Sequence, residues 1–304
     1  MVFLGTPEFA VASLDALVQA GFTVAGVITA PDRPAGRGMQ LQQSAVKQYA
    51  ISKGLNVLQP EKLKNPAFLE QLKALNADLQ VVVAFRMLPE VVWNMPRLGT
   101  INLHASLLPQ YRGAAPINWA IINGEKETGL TTFKLKHEID TGHILLQEKL
   151  AIGEQETAGE LHERMKLIGA NLLVKTVQAI AEDNLQEQPQ ENFSTTAPLK
   201  HAPKIFTDTC RIDWTKPARE IFNLIRGLSP YPAAFTSLDD KLLKVYRATW
   251  EPAIHASQPG THTTDGKSWL RFAAADGFVY ITELQLEGKK KMMTEDFLKG
   301  YRKV

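Results

Sequence analysis

Residues 79–85, Leu-Gln-Val-Val-Val-Ala-Phe, form a nearly unbroken apolar run closed by Arg86-Met87-Leu88-Pro89. A strand of this kind has no face for water, which points to a parallel sheet covered by helices on both sides. The start of the chain follows the same plan. Val2–Leu4 is a short apolar strand, and Gly5-Thr6-Pro7 ends it. Thr6 can cap a helix with Pro7 at its first position and Glu8 near its positive end. Phe9, Val11, Leu14, Leu17 and Val18 then recur at helical spacing up to Gly21, and Val24–Thr29 reads as the next strand. Strand, helix and strand in succession predict an α/β fold with crossover helices.

The pattern continues. Ser44–Lys53 reads as a helix, Val57-Leu58 as a strand, and Asn65-Pro66 opens a helix through Leu75. Glu90–Asn94 and the segment from Ala115-Pro116 to Asn123-Gly124 are short helices, and Leu130–Lys136 and Ile144–Ile152 are strands. Thr157-Ala-Gly-Glu160 is a capping box, and its helix runs to about Glu182. Pro31–Gly38 is a basic loop with two prolines and two glycines, long for an ordinary connection.

With 304 residues the chain is long enough for two domains. Residues 185–204 are rich in Gln, Glu, Pro, Ser and Thr and read as a linker. The expected division is therefore 1–184, a linker at 185–204, and a second domain at 205–304. In that domain Ala218–Leu228 is a helix. Ala234–Leu238, Leu242–Ala248, Trp269–Ala273 and Phe278–Leu286 are strands turning at Asp239-Asp240 and Asp276-Gly277. Short strands at this spacing suggest a small β-barrel. Residues 201–304 carry 16 Lys and Arg against 12 Asp and Glu, whereas the rest carries 18 against 20. The second domain is thus mildly basic, weak support for a polyanionic partner.

Several chemistries are disfavoured. One cysteine, Cys210, allows neither an internal disulfide nor a Cys-based zinc site, and no other metal site is visible. No basic stretch precedes an apolar one at the N-terminus, and no run approaches a membrane span. These features fit the cytosol. The Gly-x-Gly-x-x-Gly, Walker, Gly-x-Ser-x-Gly and His-Glu-x-x-His patterns are all absent.

What remains lies in residues 101–113, which open as a strand and turn at Ser106, Pro109 and Gly113. Alternation puts Ile101 and Leu103 on one face and Asn102 and His104 on the other. Asp140, before Thr141-Gly142, is a third candidate. Singly, each has a structural explanation: a strand-end amide, a buried histidine, a turn aspartate. Together they suit acyl transfer to an amine. An amide and an imidazolium can donate to the developing oxyanion, each donor worth about 2.7–4 kcal/mol. A neighbouring carboxylate orients the imidazole and favours its charged form. An amine that attacks directly needs no Ser or Cys nucleophile.

Asn102-Leu-His104-Ala-Ser106-Leu-Leu-Pro109-Gln-Tyr-Arg112-Gly113-Ala-Ala-Pro116 closely resembles the signature of the 10-formyltetrahydrofolate-dependent formyltransferases. The resemblance extends through Glu127-Thr-Gly129 to Asp140-Thr-Gly142. Gly5–Ala10, Pro31–Gly38, Gln59–Leu63, Arg211–Trp214, Ile225-Arg226 and Glu295–Leu298 narrow it to the branch acting on methionyl initiator tRNA. The resemblance implies a Rossmann-like, parallel-rich catalytic domain followed by an OB-like barrel. It implies catalytic roles for Asn102, His104 and Asp140, and folate contacts from Ser106, Leu107, Leu108 and Pro109. It also implies a pterin-lining loop at Phe85, Arg86, Met87 and Leu88, largely through backbone groups. Contact with tRNA is implied for the loop carrying Arg33 and Arg37 and for the basic face of the barrel, where Lys289, Lys290 and Lys291 are candidates. The co-substrate the resemblance implies is 10-formyltetrahydrofolate, no metal is expected, and the chain is expected to act as a monomer in the cytoplasm.

Two departures from the family pattern stand out. Met39-Gln40 follows the basic loop where lysines are common, which leaves Arg33 and Arg37 to dominate it. Residues 85–88 read Phe-Arg-Met-Leu rather than Tyr-Gly and an aliphatic pair, so Arg86 either reaches a folate carboxylate or is simply exposed. Two alternatives remain open. One is a formyltransferase for a small amine, such as a sugar nucleotide or glycinamide ribonucleotide. The other is a tRNA-binding protein on a decayed enzyme fold, against which the complete Asn-His-Asp set argues.

Overall fold

Strands and helices alternate from the first residues onward. The computed structural model describes residues 1–35, 40–193 and 198–301. β1 (Val2–Gly5) leads into α1 (Glu8–Gln19), then β2 (Gly26–Ile28). β3 (Arg33–Ala35) and β4 (Gln40–Gln42) form a small antiparallel pair. Next come α2 (Ala45–Ser52), β5 (Val57–Leu58), α3 (Pro66–Ala74), β6 (Gln80–Val83), α4 (Glu90–Trp93) and β7 (Thr100–His104). β8 (Arg112–Gly113), α5 (Pro116–Ile122), β9 (Glu127–Lys134), β10 (Ile144–Ala151) and α6 (Ala158–Ala181) follow. The remainder holds β11 (His201–Ala202), α7 (Ala218–Leu228), β12 (Ala234–Leu238), β13 (Lys241–Pro252) and β14 (His262–Thr264). It closes with β15 (Leu270–Ala273), β16 (Gly277–Leu286), β17 (Met292–Met293) and α8 (Thr294–Lys299).

The chain forms two compact units. The first takes Met1–Arg112, Gly129–Lys149 and His162–Lys200, and the second takes Gly113–Thr128, Leu150–Leu161 and His201–Val304. The first unit is built on a sheet of order β10-β9-β7-β6-β1-β2-β5. From β5 to β7 the neighbours run parallel, and β9 pairs antiparallel to β7. All four residues of β6 are buried, as its apolar run requires. Val2, Leu4, Ile28, Phe68, Leu72 and Val82 share one core cluster. Fully burying one such aliphatic or aromatic side chain contributes about 1.5–3 kcal/mol.

Local chemistry sets the helix starts. Ser44 caps α2 through Lys47 N, and Asn65 caps α3 through Ala67 N. α1 differs from expectation by one residue. Pro7 is the extended cap residue rather than the first helical one, and no side chain caps this end. The 31–38 stretch also differs. It was expected as a loop, but Arg33–Ala35 pairs with Gln40–Gln42, an arrangement with no alternating pattern to announce it.

The second unit is a curled antiparallel sheet of order β12-β13-β16-β15-β14, with β17 on β16. The pairing of β13 with β16 shifts register around Arg247, and such bulges bend a strand and increase its twist. Asp239 and Asp240 have φ of 48° and 59°, the left-handed pair that a tight hairpin needs between β12 and β13. Ile221, Ile225 and Leu228 of α7 join Val245, Phe272 and Ile281 in the core. Trp214 stacks on Phe272 at 4.5 Å and donates to Thr236 Oγ1 at 2.9 Å. α8 appears where only strands were expected. It is six residues long, with Glu295 and Asp296 in its first turn and Lys299 in its last, the order that suits the helix dipole.

No helix among the described residues is long and apolar enough to cross a membrane. The capping box of α6 is formed as expected. Glu160 N donates to Thr157 Oγ1 at 3.3 Å, and Thr157 N donates to Glu160 Oε2 at 2.9 Å. Thr157→Ala is therefore expected to lower stability by about 1 kcal/mol in urea denaturation.

Candidate active site

β7 is where the sheet changes direction, parallel to β6 on one edge and antiparallel to β9 on the other. Ile101 and Leu103 are buried, and Leu103 lies where Gly169 of α6 packs against the sheet. Asn102 and His104 point to the opposite face, Asn102 half-buried and His104 only 7% exposed. The imidazole meets the Phe133 ring edge-on. Its Nε2 lies 2.9 Å from Tyr111 O. A carbonyl only accepts, so Nε2 carries the hydrogen, and Nδ1 is left on the side of Asp140. Asp140 Oδ2 is 3.9 Å from Nδ1.

Asp140 reaches this position in the connection 135–143 between β9 and β10. Its own φ is 56°, in the left-handed region. Two residues on, a Cβ at Gly142 would lie 1.5 Å from Lys134 O, so only glycine allows the close approach. A second motif glycine, Gly129, has a similar cause. A Cβ at Gly129 would meet Glu148 O at 2.3 Å and Leu107 Cδ2 at 2.4 Å.

The turn after β7 is held mainly from β9. Thr131 Oγ1 donates to Ser106 O at 2.7 Å and accepts from Leu108 N at 3.1 Å and Gln147 Nε2 at 2.9 Å. Gln147 also donates to Leu108 O at 2.9 Å. Ser106 is fully buried, and its hydroxyl closes the turn on Gln110 O. The Leu108-Pro109 peptide is cis, and both residues are buried. Leu107 is the half-buried member of the four.

The 85–88 loop follows β6. Phe85 and Leu88 pack against the core of the first unit, while Met87 is 72% exposed. Arg86 is neither free nor simply exposed. Nη1 donates to Glu61 O at 2.8 Å, Nη2 donates to Pro60 O, and Nε is buried with no partner among the described residues. Burial, and then the charge of Arg33, pull the Arg86 pKa below its ordinary value.

Arg33 is exposed in β3, and Arg37 lies outside the described residues. The base of the β3–β4 pair is anchored by Asp32, which takes Lys47 Nζ at 2.5 Å and Gln59 Nε2 at 2.8 Å. These two bonds, Lys47's first, hold the Asp32 carboxyl below the usual range. In the second unit Lys289 and Lys290 are exposed beyond β16. Lys291 is tied to Glu283 at 3.1 Å and sits 4.5 Å from the centre of the Tyr246 ring. Among the described residues no group of three His, Cys, Asp or Glu side chains could hold a metal ion.

Sequence reasoning missed Gln190, which falls in the expected linker. That segment is docked on the first unit. Ile144 and Gln188 exchange backbone hydrogen bonds at 2.8 and 2.9 Å, and Tyr111 N donates to Lys200 O at 2.7 Å. Gln190 is 2% exposed. Its Nε2 donates to Asp140 O at 2.8 Å and Gly142 O at 2.9 Å, and its Oε1 accepts from Arg112 Nε at 3.1 Å and Nη2 at 2.5 Å. A polar side chain in a polar stretch carries no signal of burial.

Comparison with known proteins follows the two-part organisation. A family model described as formyl transferase matches residues 1–177, and one described as formyl transferase, C-terminal domain, matches residues 204–302. The methionyl-tRNA formyltransferase of Parabacteroides distasonis is 57% identical, covering 100% of this chain and 96% of the relative. That of Bacteroides fragilis is 53% identical, covering 99% and 94%. The crystal structure of an N-formyltransferase from Helicobacter canadensis with folinic acid and dTDP-3-aminofucose shares the fold. Its TM-score is 0.67 at 20% identity, covering 96% of this chain and 98% of that one.

Two outcomes test the local architecture. Thr131→Val leaves Ser106 O and Leu108 N without their partner and is expected to cost about 2 kcal/mol in urea denaturation. Asp32→Asn removes a carboxylate whose pKa is depressed by folding, so its contribution exists only when it is ionised. The variant should be less stable than the parent above about pH 4, and their stabilities should converge at lower pH.

Proposed function

Because this chain belongs to the formyl transferase family, we propose that it transfers the formyl group of 10-formyltetrahydrofolate to the α-amino group of methionyl initiator tRNA. The observation that carries the reading is the pairing of nearly buried His104 and Asp140, facing each other at 3.9 Å beside Asn102. All three lie in the first unit, so the chemistry needs no second copy of the chain. With one cysteine and no membrane-crossing helix among the described residues, a cytoplasmic monomer is the setting proposed.

In this reading the neutral amine attacks the formyl carbon directly. As the new C–N bond forms, the formyl oxygen takes negative charge and is met by the Asn102 amide, and by Nδ1–H of the imidazolium once Nδ1 has taken up the amine proton. Each donor of this kind is worth about 2.7–4 kcal/mol. Asp140 stabilises the imidazolium that takes up the amine proton. The carbonyl reforms, the bond to the folate nitrogen N10 breaks, and the proton passes to N10. The gap of 3.9 Å is too long for a hydrogen bond and is expected to tighten around the reacting groups.

The folate is assigned to the face beside residues 85–88 and 106–109. Half-buried Leu107 and exposed Met87 offer side-chain contact there, and the remaining contacts are backbone groups. Arg33 and Arg37 are proposed to meet the tRNA, and Lys289 and Lys290 the phosphates along the second unit. Lys291 is the weaker candidate because Glu283 and Tyr246 already engage it. The small-amine alternative has less support, since the sugar-related structure is 20% identical whereas the tRNA-related proteins exceed 50%.

The deciding assay combines the protein with 10-formyltetrahydrofolate and charged initiator tRNA and measures formylmethionine. Product is expected, with affinity for tRNA falling as salt rises. Folate binding without product sinks the reading, and equal activity on a free amino sugar favours the alternative. Asp140→Asn is expected to lower kcat by roughly 10²–10⁴-fold while folate affinity stays within about twofold. A fully active variant removes Asp140 from the mechanism.

A further inference from the structure

We propose that Gln190 is a positioning residue for the transfer, holding Asp140 at its distance from His104. This rests on the catalytic reading of Asp140 given above. Gln190 leaves no polar atom idle. Both hydrogens of its amide nitrogen go to carbonyls of one turn, Asp140 O and Gly142 O, and its oxygen takes the Arg112 guanidinium. The orientation of the amide is determined by these partners. Two carbonyls require donors at one end, and a guanidinium requires an acceptor at the other.

The arrangement acts on both sides of the catalytic pair. On one side it straps the turn in which Asp140 adopts its left-handed conformation, gripping the carbonyls on either side of Thr141. On the other it holds Arg112, the residue after Tyr111, whose carbonyl receives His104 Nε2. The two backbone groups that set the carboxylate and the imidazole are thus joined through one buried side chain. Gln190 itself is brought in by the antiparallel bridge between Gln188 and Ile144, next to the same turn. A buried group held on both ends moves little, and a misplacement of about 1 Å at a reacting group can cost about 10²-fold in rate. The stretch that composition marks as a linker therefore supplies part of the catalytic framework.

The test uses the full-length protein and two near-isosteric variants. Gln190→Met removes every hydrogen bond. Gln190→Glu keeps an acceptor for Arg112 and places oxygen against the two carbonyls. Rates are read per tetrahydrofolate-binding site, so that only folded protein is counted. Each variant is expected to lose about 10- to 100-fold in kcat. KM for the folate and for the charged tRNA should stay within about twofold, a split that general loosening of the site would not produce. In an Asp140→Asn background, Gln190→Met should cost clearly less than in the parent, because the carboxylate whose distance from His104 it sets is gone and only its hold on the imidazole side remains. Parental kcat in both Gln190 variants alongside an inactive Asp140→Asn overturns the positioning role alone. So do losses that multiply in the double variant. A fully active Asp140→Asn overturns the catalytic set and the positioning role with it.

Discussion

The site depends on one constraint, the seam where β7 is bonded in parallel to β6 and antiparallel to β9. The parallel side sets the register of β7, and α6 packed on Leu103 fixes which way Asn102 and His104 point. The antiparallel side sets Thr131 opposite His104 and Phe133 opposite Asn102. From there Thr131 ties the turn after β7, and the end of β9 delivers the chain to Asp140. A shift of β9 by one residue would turn Thr131 away from Ser106 and dissolve both connections.

Much of this frame was legible because it follows from periodicity. The run at 79–85 announced a strand buried on both faces, and β6 is buried throughout. Alternation alone put Asn102 and His104 on one face. Cap chemistry marked α2, α3 and α6 through Ser44, Asn65 and Thr157. What could not be read depends on contacts distant in sequence. Gly142 stood out as part of a motif, but its reason is the carbonyl of Lys134 pressed against it. Arg86 read as a ligand-facing or exposed cation because nothing local reveals that Pro60 and Glu61 receive its guanidinium. Gln190 stayed hidden because burial of a polar residue is decided by its partners. α8 is too short to show a period, and only its charge order hints at a helix.

The chemistry asked of this frame is modest. In the proposed reaction an amine attacks a formyl carbon without a covalent enzyme intermediate, so the protein needs donors, an oriented imidazole and exclusion of water rather than a nucleophile. The residues near the site divide accordingly. Asn102, His104 and Asp140 are assigned to the reacting atoms, and Thr131, Gln147, Gly142 and Gln190 hold the backbone that carries them. Gln190 gives a reason for the segment after α6 to lie along the first unit: its side chain satisfies the carbonyls of Asp140 and Gly142, which would otherwise be costly to leave unpaired.

The central claim is that His104 acts on the chemical step and not on binding. Single-turnover rapid-quench kinetics of His104→Gln, with 10-formyltetrahydrofolate and charged initiator tRNA both saturating, test it most directly. The account predicts that both substrates bind as to the parent while the rate of formyl transfer falls by roughly 10²-fold or more. An unchanged transfer rate would contradict it.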